Sequence, residues 1–331
     1  MKKRLFLVLM VVILLIPIFG GCKKEGGLKK ITLNEVAHSV FYAPQYVALE
    51  LDYFKEEGLK VELVTGFGAD KTMAAVLSGD ADIGFMGSEA SIYVYNEGAQ
   101  DYVVNFAQLT QRAGNFLVSR DTKEDFKWDN LKGKEVIGGR AGGMPQMVLE
   151  YVLKKKNFDI KNDLTIIQNI DFGVTGEAFT SGTGDYTIEF EPTATEIEKS
   201  GKGKVVASLG VESGMVPYTS YAAKESYIEK NEDVIQKFTN GIQKGIEYVN
   251  KHTPKEIAKV IAPQFPEMKE EDLVTILERY QNQETWKDNA IFEEESLNLL
   301  LNIIEEAGEI TERPPYEHIV TTKFAKEAFN R

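Results

Sequence analysis

The chain has 331 residues, of which 38 are Lys or Arg, 51 are Asp or Glu, three are His and one is Cys, and 43% are hydrophobic. Its net charge of −13 disfavours nucleic acids and anionic membrane surfaces as partners, because both repel an acidic protein. Three histidines and one cysteine, Cys22 in the N-terminal leader, exclude a Cys/His zinc site and a Cys–His catalytic pair in the body of the chain.

The N-terminus has the three parts of an export signal. A basic segment, residues 2–4, precedes an apolar run over residues 5–19, and a Gly-Gly pair stands before Cys22. The run is shorter than the ~20 residues that a spanning helix requires. This pattern resembles the lipobox of bacterial lipoproteins, whose cysteine receives a diacylglyceryl group, although Phe19 replaces the usual Leu. We therefore predict a signal peptide at residues 1–21 and lipidation at Cys22; an ordinary cleaved signal and an uncleaved anchor are the alternatives.

Residues 22–30 are predicted to form a short flexible tether, because they are polar and contain two adjacent glycines. No cysteine follows Cys22, so the exported body has no disulfides and its apolar core must stabilise it. About 300 residues bury enough apolar surface for this, in two lobes. Without the basic leader the chain carries 35 basic and 51 acidic residues, a net charge near −16.

The first part of the body alternates strands with helices. Ser88 precedes the last helix of this part and is predicted to cap it. The predicted strands are residues 30–36, 59–64, 81–86 and 103–109, and the predicted helices are residues 42–56, 69–77 and 88–96. Such alternation predicts a wound, largely parallel sheet.

The same rhythm repeats in the second part, and the chain after Tyr227 is nearly all helix. Strands are predicted at residues 115–119, 135–138, 164–168, 186–190 and 204–208, and helices at residues 145–156 and 192–199. The C-terminal helices are predicted at residues 233–250, 254–261, 271–281 and 293–307. Two α/β lobes followed by a helical tail are typical of a bilobed binding protein.

Loops after the strands are the candidate binding site, because ligands of such sheets bind beyond the carboxyl ends of the strands. Their glycines permit close backbone approach, and helix N-termini offer free N–H groups. The loops are residues 37–45, 65–70, 87–89, 138–146 and 169–175. Each has another interpretation: the glycines mark tight turns, Ser88 and Glu89 start a helix, Arg140 is a surface arginine, and His38 is a hydrogen-bonded loop residue.

Aromatic and acidic residues add to these loops. Phe41 and Tyr42 precede a helix and are placed to line a cleft, whereas Tyr46 is expected in the core. Glu189 and Glu191 lie two apart on a predicted strand and should face the same side. Such carboxylates bind a cationic or amidine-like ligand, or act as the acid and base of a glycosidase; alternatively, one of them is exposed and idle. Because no nucleophile motif, metal spacing or cofactor fingerprint accompanies them, the residues indicate binding rather than turnover.

Several segments resemble one family of proteins. The chain reads HSVFYAPQYVALELDYFKEEGLKVELV over residues 38–64 and MAAVLSGDADIG over residues 73–84, followed by Gly-Ser-Glu at 87–89. Leu-Lys-Gly-Lys at 131–134 and the Glu191-Pro192 pair are similar as well. Together they resemble the solute-binding proteins of ABC importers for nitrate, sulfonate, taurine and thiamine-pyrimidine precursors, over essentially the whole mature chain.

The resemblance implies an α/β fold of the two-lobed periplasmic binding protein type II kind, with two hinge crossings and a helical C-terminal tail. Residues 31–112 and 220–331 would form lobe one, and residues 113–219 lobe two. The implied partners are a small-molecule ligand, an ABC permease and its ATPase, with no nucleic acid and with membrane contact through the lipid alone. A monomer is expected on the extracytoplasmic face of a bacterial membrane, without a metal or another cofactor. The ligand residues transferred from the family are His38, Ser39, Tyr42, Gly66, Ser88, Glu89, Arg140, Gly142, Gly143, Glu189 and Glu191.

Departures from the family pattern bear on the ligand. Sulfonate binders have a Gly-Ser-Ser-like stretch where this chain has Ala-Gly-Gly at 141–143. Glu89, Glu189 and Glu191 would each repel an anion by roughly 1–4 kcal/mol at about 4 Å. The sequence therefore favours a thiamine-pyrimidine-like heteroaromatic ligand over a sulfonate, taurine or nitrate-type anion. A sensor module and a pyrimidine-precursor synthase of the fungal thiamine pathway, which is similar in fold but cytosolic and cysteine-rich, are the alternatives of a different class.

Overall fold

A computed structural model describes residues 27–123 and 125–331 of the chain. The predicted signal peptide, Cys22 and most of the predicted tether lie outside the described residues. None of the described helices combines the length and the apolar character that crossing a membrane requires.

Ten strands within the described residues form two five-stranded sheets. The first sheet contains β1 Lys29–Glu35, β2 Leu59–Thr65, β3 Ile83–Gly87, β4 Val103–Thr110 and β10 Thr219–Lys224. The second contains β5 Phe116–Ser119, β6 Glu135–Ile137, β7 Thr165–Ile167, β8 Tyr186–Glu189 and β9 Lys204–Ser208. The predicted strands of both halves are confirmed to within a few residues at their ends.

Both sheets are mixed. The order is β2-β1-β3-β10-β4 in the first sheet and β7-β6-β8-β5-β9 in the second. β1 is parallel to β2 and β3, while β10 runs antiparallel to β3 and β4. In the second sheet β6 is parallel to β7 and β8, while β5 runs antiparallel to β8 and β9. In each sheet four of the five strands run in one direction, so the prediction of a largely parallel sheet holds except for β10 and β5, which enter their sheets in the reverse direction.

Helices pack against the sheets and continue beyond them. They are α1 Ala43–Glu50, α2 Tyr53–Glu56, α3 Ala69–Ser78, α4 Glu89–Asn96, α5 Met144–Lys155, α6 Thr175–Thr180, α7 Thr193–Lys199, α8 Leu209–Ser213, α9 Glu225–Lys230, α10 Glu232–Lys251, α11 Pro254–Ile261, α12 Glu270–Asn282, α13 Glu294–Ala307, α14 Tyr316–Ile319 and α15 Lys323–Phe329. Short 3-10 helices lie at Val40–Tyr42, Trp128–Leu131, Phe172–Val174 and Ala262–Gln264.

Two helix predictions need correction. The helix predicted at residues 42–56 is broken into α1 and α2, because Asp52 adopts a left-handed conformation with a φ of 58° between them. Helix α6, which was not predicted, begins at the end of the predicted loop at residues 169–175. At α11 the local signals agree with the structure: Thr253 precedes the helix, and its hydroxyl and Glu256 form a capping box around Pro254.

Helix α10 covers the core of the first sheet. All eight residues of β4 are buried, and α10 packs against α1 and α15. Gly245 permits the close approach of α10 and α1, because a Cβ at this position would lie 2.2 Å from the carbonyl oxygen of Pro44. This packing places the N-terminal end of α1, and the loop before it, at the edge that faces the second sheet.

The chain passes between the sheets at residues 111–115, from β4 to β5, and at residues 214–218, from α8 to β10. These two crossings lie side by side, since the backbone N–H of Tyr218 donates to the carbonyl of Thr110 at 3.2 Å. Farther along, α13 packs against α5, so the C-terminal part of the chain also contacts the helices of the second sheet.

Candidate ligand-binding site

A cleft between the two sheets contains two adjoining cavities. The inner chamber, of about 90 Å³, includes Tyr42, Glu89, Arg140, Met144, Phe172, Phe190 and Tyr218 in its lining. The outer groove, of about 510 Å³, is lined mainly by α6, β8 and α7 of the second sheet. Phe67, Pro145, Phe172 and Phe190 border both cavities, so the chamber opens into the groove past aromatic side chains.

Glu89 places a carboxyl group in the inner chamber. It is the first residue of α4, directly beyond β3, and is only 2% exposed. Its Oε2 atom is buried and has no hydrogen-bond partner. Burial raises the pKa of Glu89 to about 7, against the lowering effects of backbone N–H groups at Glu89 and Met144 and of the Arg140 charge. A buried acceptor without a partner is costly, and a ligand that donates a hydrogen bond would satisfy it.

Tyr218 provides a second unsatisfied group in the same chamber. It precedes β10 at the second crossing, is 3% exposed, and its hydroxyl has no hydrogen-bond partner. Its ring lies against Phe41 and Phe190, at centroid distances of 5.8 and 6.0 Å. The sequence analysis missed Tyr218, because no local motif surrounds it.

Ser88, predicted both as a helix cap and as a ligand residue, has a different contact. Its side chain makes no capping hydrogen bond. It is fully buried, and its Oγ lies 2.9 Å from the Oγ of Ser220 on β10. Ser88 therefore joins two neighbouring strands of the first sheet and lines neither the chamber nor the groove.

Glu189 lies at the bottom of the outer groove. It is the last residue of β8 and is 5% exposed. Thr187 donates a hydrogen bond to its Oε1 at 2.6 Å, and Thr175 donates to its Oε2 at 3.1 Å. Burial raises the pKa of Glu189 to about 7 despite these two hydrogen bonds.

Glu191 is used to join the two halves of the molecule. β8 ends at Glu189, so Glu191 lies beyond the strand on which it was predicted. Its Oε1 accepts a hydrogen bond from Arg279 of α12 at 2.7 Å, and its Oε2 accepts one from the backbone N–H of Thr195 at 2.9 Å. The carboxylates of Glu189 and Glu191 thus have separate partners, which argues against a shared acid/base role.

His38 and Ser39 border the outer groove but are engaged in contacts of their own. The Nδ1 of His38 lies 2.8 Å from Glu35, and its Nε2 lies 2.8 Å from the carbonyl oxygen of Gln264. Burial lowers the pKa of His38, but the hydrogen bonds to Glu35 and Gln264 outweigh it and hold the pKa above its ordinary value. Ser39 Oγ donates to the carbonyl oxygen of Glu191 at 2.5 Å. Both residues thus help to hold the cleft in shape.

The remaining predicted residues are backbone positions and one arginine. Gly143 and Arg140 line the inner chamber at the N-terminus of α5. Gly142, with a φ of 72°, faces a different cavity together with Glu309. Gly66 lines neither the chamber nor the groove; a Cβ there would lie 2.6 Å from Asn34 Oδ1, so its small size serves packing within the first sheet.

The structure therefore brings Tyr42, Glu89, Arg140 and Gly143 together around one chamber. Met144 and Phe172 of the same chamber lie in loops that were predicted to form the site, although neither was named as a ligand residue; Phe190 and Tyr218 were not predicted. Phe190 stands between the two predicted glutamates, and strand alternation predicts that it faces the opposite side, so the pattern gave no signal for it. Among residues 27–123 and 125–331, no group of three or more His, Cys, Asp or Glu side chains is arranged to hold a metal ion.

Comparison with known proteins agrees with this architecture. The family model described as "NMT1/THI5 like" matches residues 40–257. The chain belongs to this family. It is 47% identical to the "Putative binding protein YtlA" of Bacillus subtilis (strain 168) over 308 residues. The aligned segment covers 93% of this chain and 92% of the relative.

Two further proteins are similar at lower identity. A 4-amino-5-hydroxymethyl-2-methylpyrimidine phosphate synthase of Aspergillus parasiticus is 24% identical over 235 residues, 66% of each chain. The solved structure of the periplasmic nitrate-binding protein NrtA from Synechocystis PCC 6803 superimposes with a TM-score of 0.75, at 13% identity over 92% of this chain and 89% of that one. The predicted two-lobed periplasmic binding protein fold is confirmed by this similarity.

Proposed function

We propose that this protein is the extracytoplasmic solute-binding component of an ABC importer. In this role it captures a small heteroaromatic solute, similar to the pyrimidine part of thiamine, between its two lobes and delivers the solute unchanged to a permease driven by an ATPase. The family and the relationship to a binding protein support the class of function. The inner chamber supports the class of ligand.

The observation that carries the ligand proposal is the buried, unpartnered Oε2 of Glu89 in a chamber bordered by Tyr42, Phe172 and Phe190. Aromatic side chains favour a flat ring, through offset or edge-to-face contacts. A carboxyl group pairs with the N–C–NH₂ edge of an aminopyrimidine through two hydrogen bonds, whichever of the two partners carries the proton. The hydroxyl of Tyr218 is available for a further polar atom of the ring.

The lobes and the membrane tether complete the proposal. Residues 31–112 with 220–331 would move as one lobe and residues 113–219 as the other, with the crossings at 111–115 and 214–218 as hinges. α13 would stay in contact with α5. We further propose that a lipid on Cys22 holds a monomeric protein at the outer face of the membrane, beside the permease.

An anion is the second candidate. Arg140 and the N-terminus of α5 at Gly143 border the chamber, and both attract negative charge. Glu89 opposes this, since an ionised carboxylate repels an anion at short range. A sulfonate, taurine or nitrate would therefore require Glu89 to stay protonated, whereas an aminopyrimidine would not.

Thermal unfolding with a ligand panel tests the proposal. The purified protein without its leader would be heated with aminopyrimidines, thiamine, flavins, taurine, alkanesulfonates and nitrate. At a concentration one hundred times the Kd, a ligand stabilises the folded protein by about 2.7 kcal/mol, which raises the Tm measurably. We expect the shift with aminopyrimidines, and chromatography of the mixture should recover them unchanged. A shift with sulfonates or nitrate alone would reject the pyrimidine, and a converted product would reject the binding function.

The variant Tyr218→Phe locates the response in the inner chamber. Removal of an unpartnered buried hydroxyl should leave the Tm of the free protein nearly unchanged. The ligand-induced shift should become smaller, because the ring loses a hydrogen-bonding group. An undiminished shift would place the ligand outside this chamber.

A further inference from the structure

The inner chamber is too small for a substituted ring. Its volume of about 90 Å³ is below the ~150 Å³ of an engineered apolar cavity that binds benzene. A ligand whose ring contacts Glu89 must therefore extend beyond the chamber. The outer groove of about 510 Å³ adjoins it past Phe172 and Phe190, and offers space for a substituent.

The outer groove is acidic. Glu189 lies buried at its bottom, and Glu177 on α6 and Glu196 on α7 lie exposed along its walls. One lysine, Lys202, also lines this groove.

Two other charged groups at the groove are neutralised by partners. Glu191 is paired with Arg279, and His38 is paired with Glu35. Two exposed carboxylates, and Glu189 when it is ionised, thus face the ammonium group of Lys202, so a substituent in this groove lies in a negative field.

Building on the proposed function, we propose that the ligand carries a cationic amine on its ring, and that this ammonium group lies in the outer groove near Glu189, Glu177 and Glu196. The hydrogen-bonding edge of the ring would face the inner chamber, where the buried acceptor of Glu89 is an independent requirement for a ligand that donates hydrogen bonds. Glu189 accepts one hydrogen bond on each carboxylate oxygen from Thr187 and Thr175. An ionised carboxylate has about four acceptor sites, so it can also accept from an ammonium group.

Two ligands with the same ring separate this inference from the proposed function. The probes are 4-amino-2-methylpyrimidines with a 5-hydroxymethyl or a 5-aminomethyl group, which differ in charge but hardly in shape. Calorimetric titration at pH 7 and low salt would measure both Kd values. We expect the aminomethyl compound to bind about tenfold more tightly, and the ratio to fall at high salt.

The double variant Glu177→Gln/Glu196→Gln tests the groove directly. We expect it to lower the ratio of the two Kd values severalfold, chiefly by weakening the binding of the aminomethyl compound, while Glu189 remains in place. The matched control is Glu270→Gln/Glu271→Gln, which removes two exposed charges from the first turn of α12. This control should leave the ratio of the two Kd values unchanged. All four positions are exposed, so the variants are expected to fold, and their Tm values would verify this.

Each result has one meaning. Equal or weaker binding of the aminomethyl compound would overturn the cationic ligand and leave the proposed function standing. A ratio of Kd values that is unchanged in Glu177→Gln/Glu196→Gln, or that falls equally in the control, would overturn the placement in the groove. Failure of both compounds to bind would reject the pyrimidine ligand and this inference with it.

Discussion

Glu89 links the ligand chamber to the stability of the protein. Its pKa of about 7 in the folded state lies above the ordinary value of 4.5, because burial disfavours the charged carboxylate. Below the ordinary pKa the group is protonated in both states and costs nothing. As the pH rises, the unfolded chain ionises first, so stability falls until the folded pKa is passed. This difference corresponds to about 3 kcal/mol above pH 7.

The variant Glu89→Gln should remove this loss. We expect wild type and variant to be of similar stability near pH 5, and the variant to be more stable by roughly 2–3 kcal/mol at pH 8. Urea unfolding at a series of pH values measures the difference. Because burial also raises the pKa of Glu189 to about 7, Glu89→Gln/Glu189→Gln should flatten the pH dependence further. Parallel pH profiles of wild type and Glu89→Gln would contradict this account.

The sequence predicted Glu89 in the cleft, because Gly-Ser-Glu follows a buried strand and starts a helix. It did not predict the contact that the neighbouring Ser88 makes. The partner of Ser88 is Ser220, which is 132 residues away on a strand that enters the sheet after the second crossing. A serine directly before a helix usually accepts a hydrogen bond from a backbone N–H in the first turn. Here the hydroxyl of Ser88 contacts Ser220 of β10 instead, a tertiary contact that a local rule does not include.

At the scale of elements, α12 and α7 form a junction between the two halves. Arg279 of α12 lies 2.7 Å from the buried Glu191 and 2.7 Å from Glu198 of α7. A second pair, Lys199 and Asp272, joins the same two helices, with the Lys199 side chain 51% exposed. The two ion pairs differ in burial, so they should differ in their contribution to stability.

Arg279→Met should destabilise the protein by about 2–3 kcal/mol, because it leaves the buried carboxylate of Glu191 without its cation. Lys199→Met is the matched control on the same junction and should cost under about 1 kcal/mol, since water screens an exposed pair. Urea unfolding of the two variants at pH 7 measures both changes in the free energy of unfolding. Equal losses would mean that burial of Glu191 does not set the strength of this junction.

The elements also show where sequence reasoning ends. Apolar alternation and turn residues located every strand of the second sheet. β10, with the sequence TSYAAK, was missed because it has no run of β-branched residues. Its place between β3 and β4 is set by the antiparallel pairing that follows the second crossing, which no local pattern records.

At the scale of the whole molecule, the two sheets share one strand order, with the antiparallel strand in the fourth position of each. In the first sheet this strand is β10, which follows the second crossing, and in the second sheet it is β5, which follows the first. Each lobe therefore includes a strand that the chain reaches directly from the other lobe. The two crossings therefore lead directly into a strand of each sheet. Tyr218, which lines the chamber, lies on the second crossing.

The proposed lipid on Cys22 would determine where the whole molecule works. A lipid chain adds about 0.8 kcal/mol per buried methylene, and two acyl chains anchor a protein stably, whereas an acidic surface offers no attraction to anionic lipid. If Cys22 carries a diacylglyceryl group, the wild-type protein should sediment with membranes and enter the detergent phase on Triton X-114 partition. Cys22→Ala should instead appear in the soluble extracytoplasmic fraction.

Cys22→Ser is the conservative companion and should be released in the same way, because only a thiol accepts the diacylglyceryl group. Both variants should retain the ligand-induced rise in Tm, since the described linings of the chamber and groove contain no residue before Val36. Persistence of Cys22→Ala in the membrane fraction would identify residues 5–19 as an uncleaved anchor. Lipid would then be unnecessary for attachment, and capture of the solute would still take place beside the membrane.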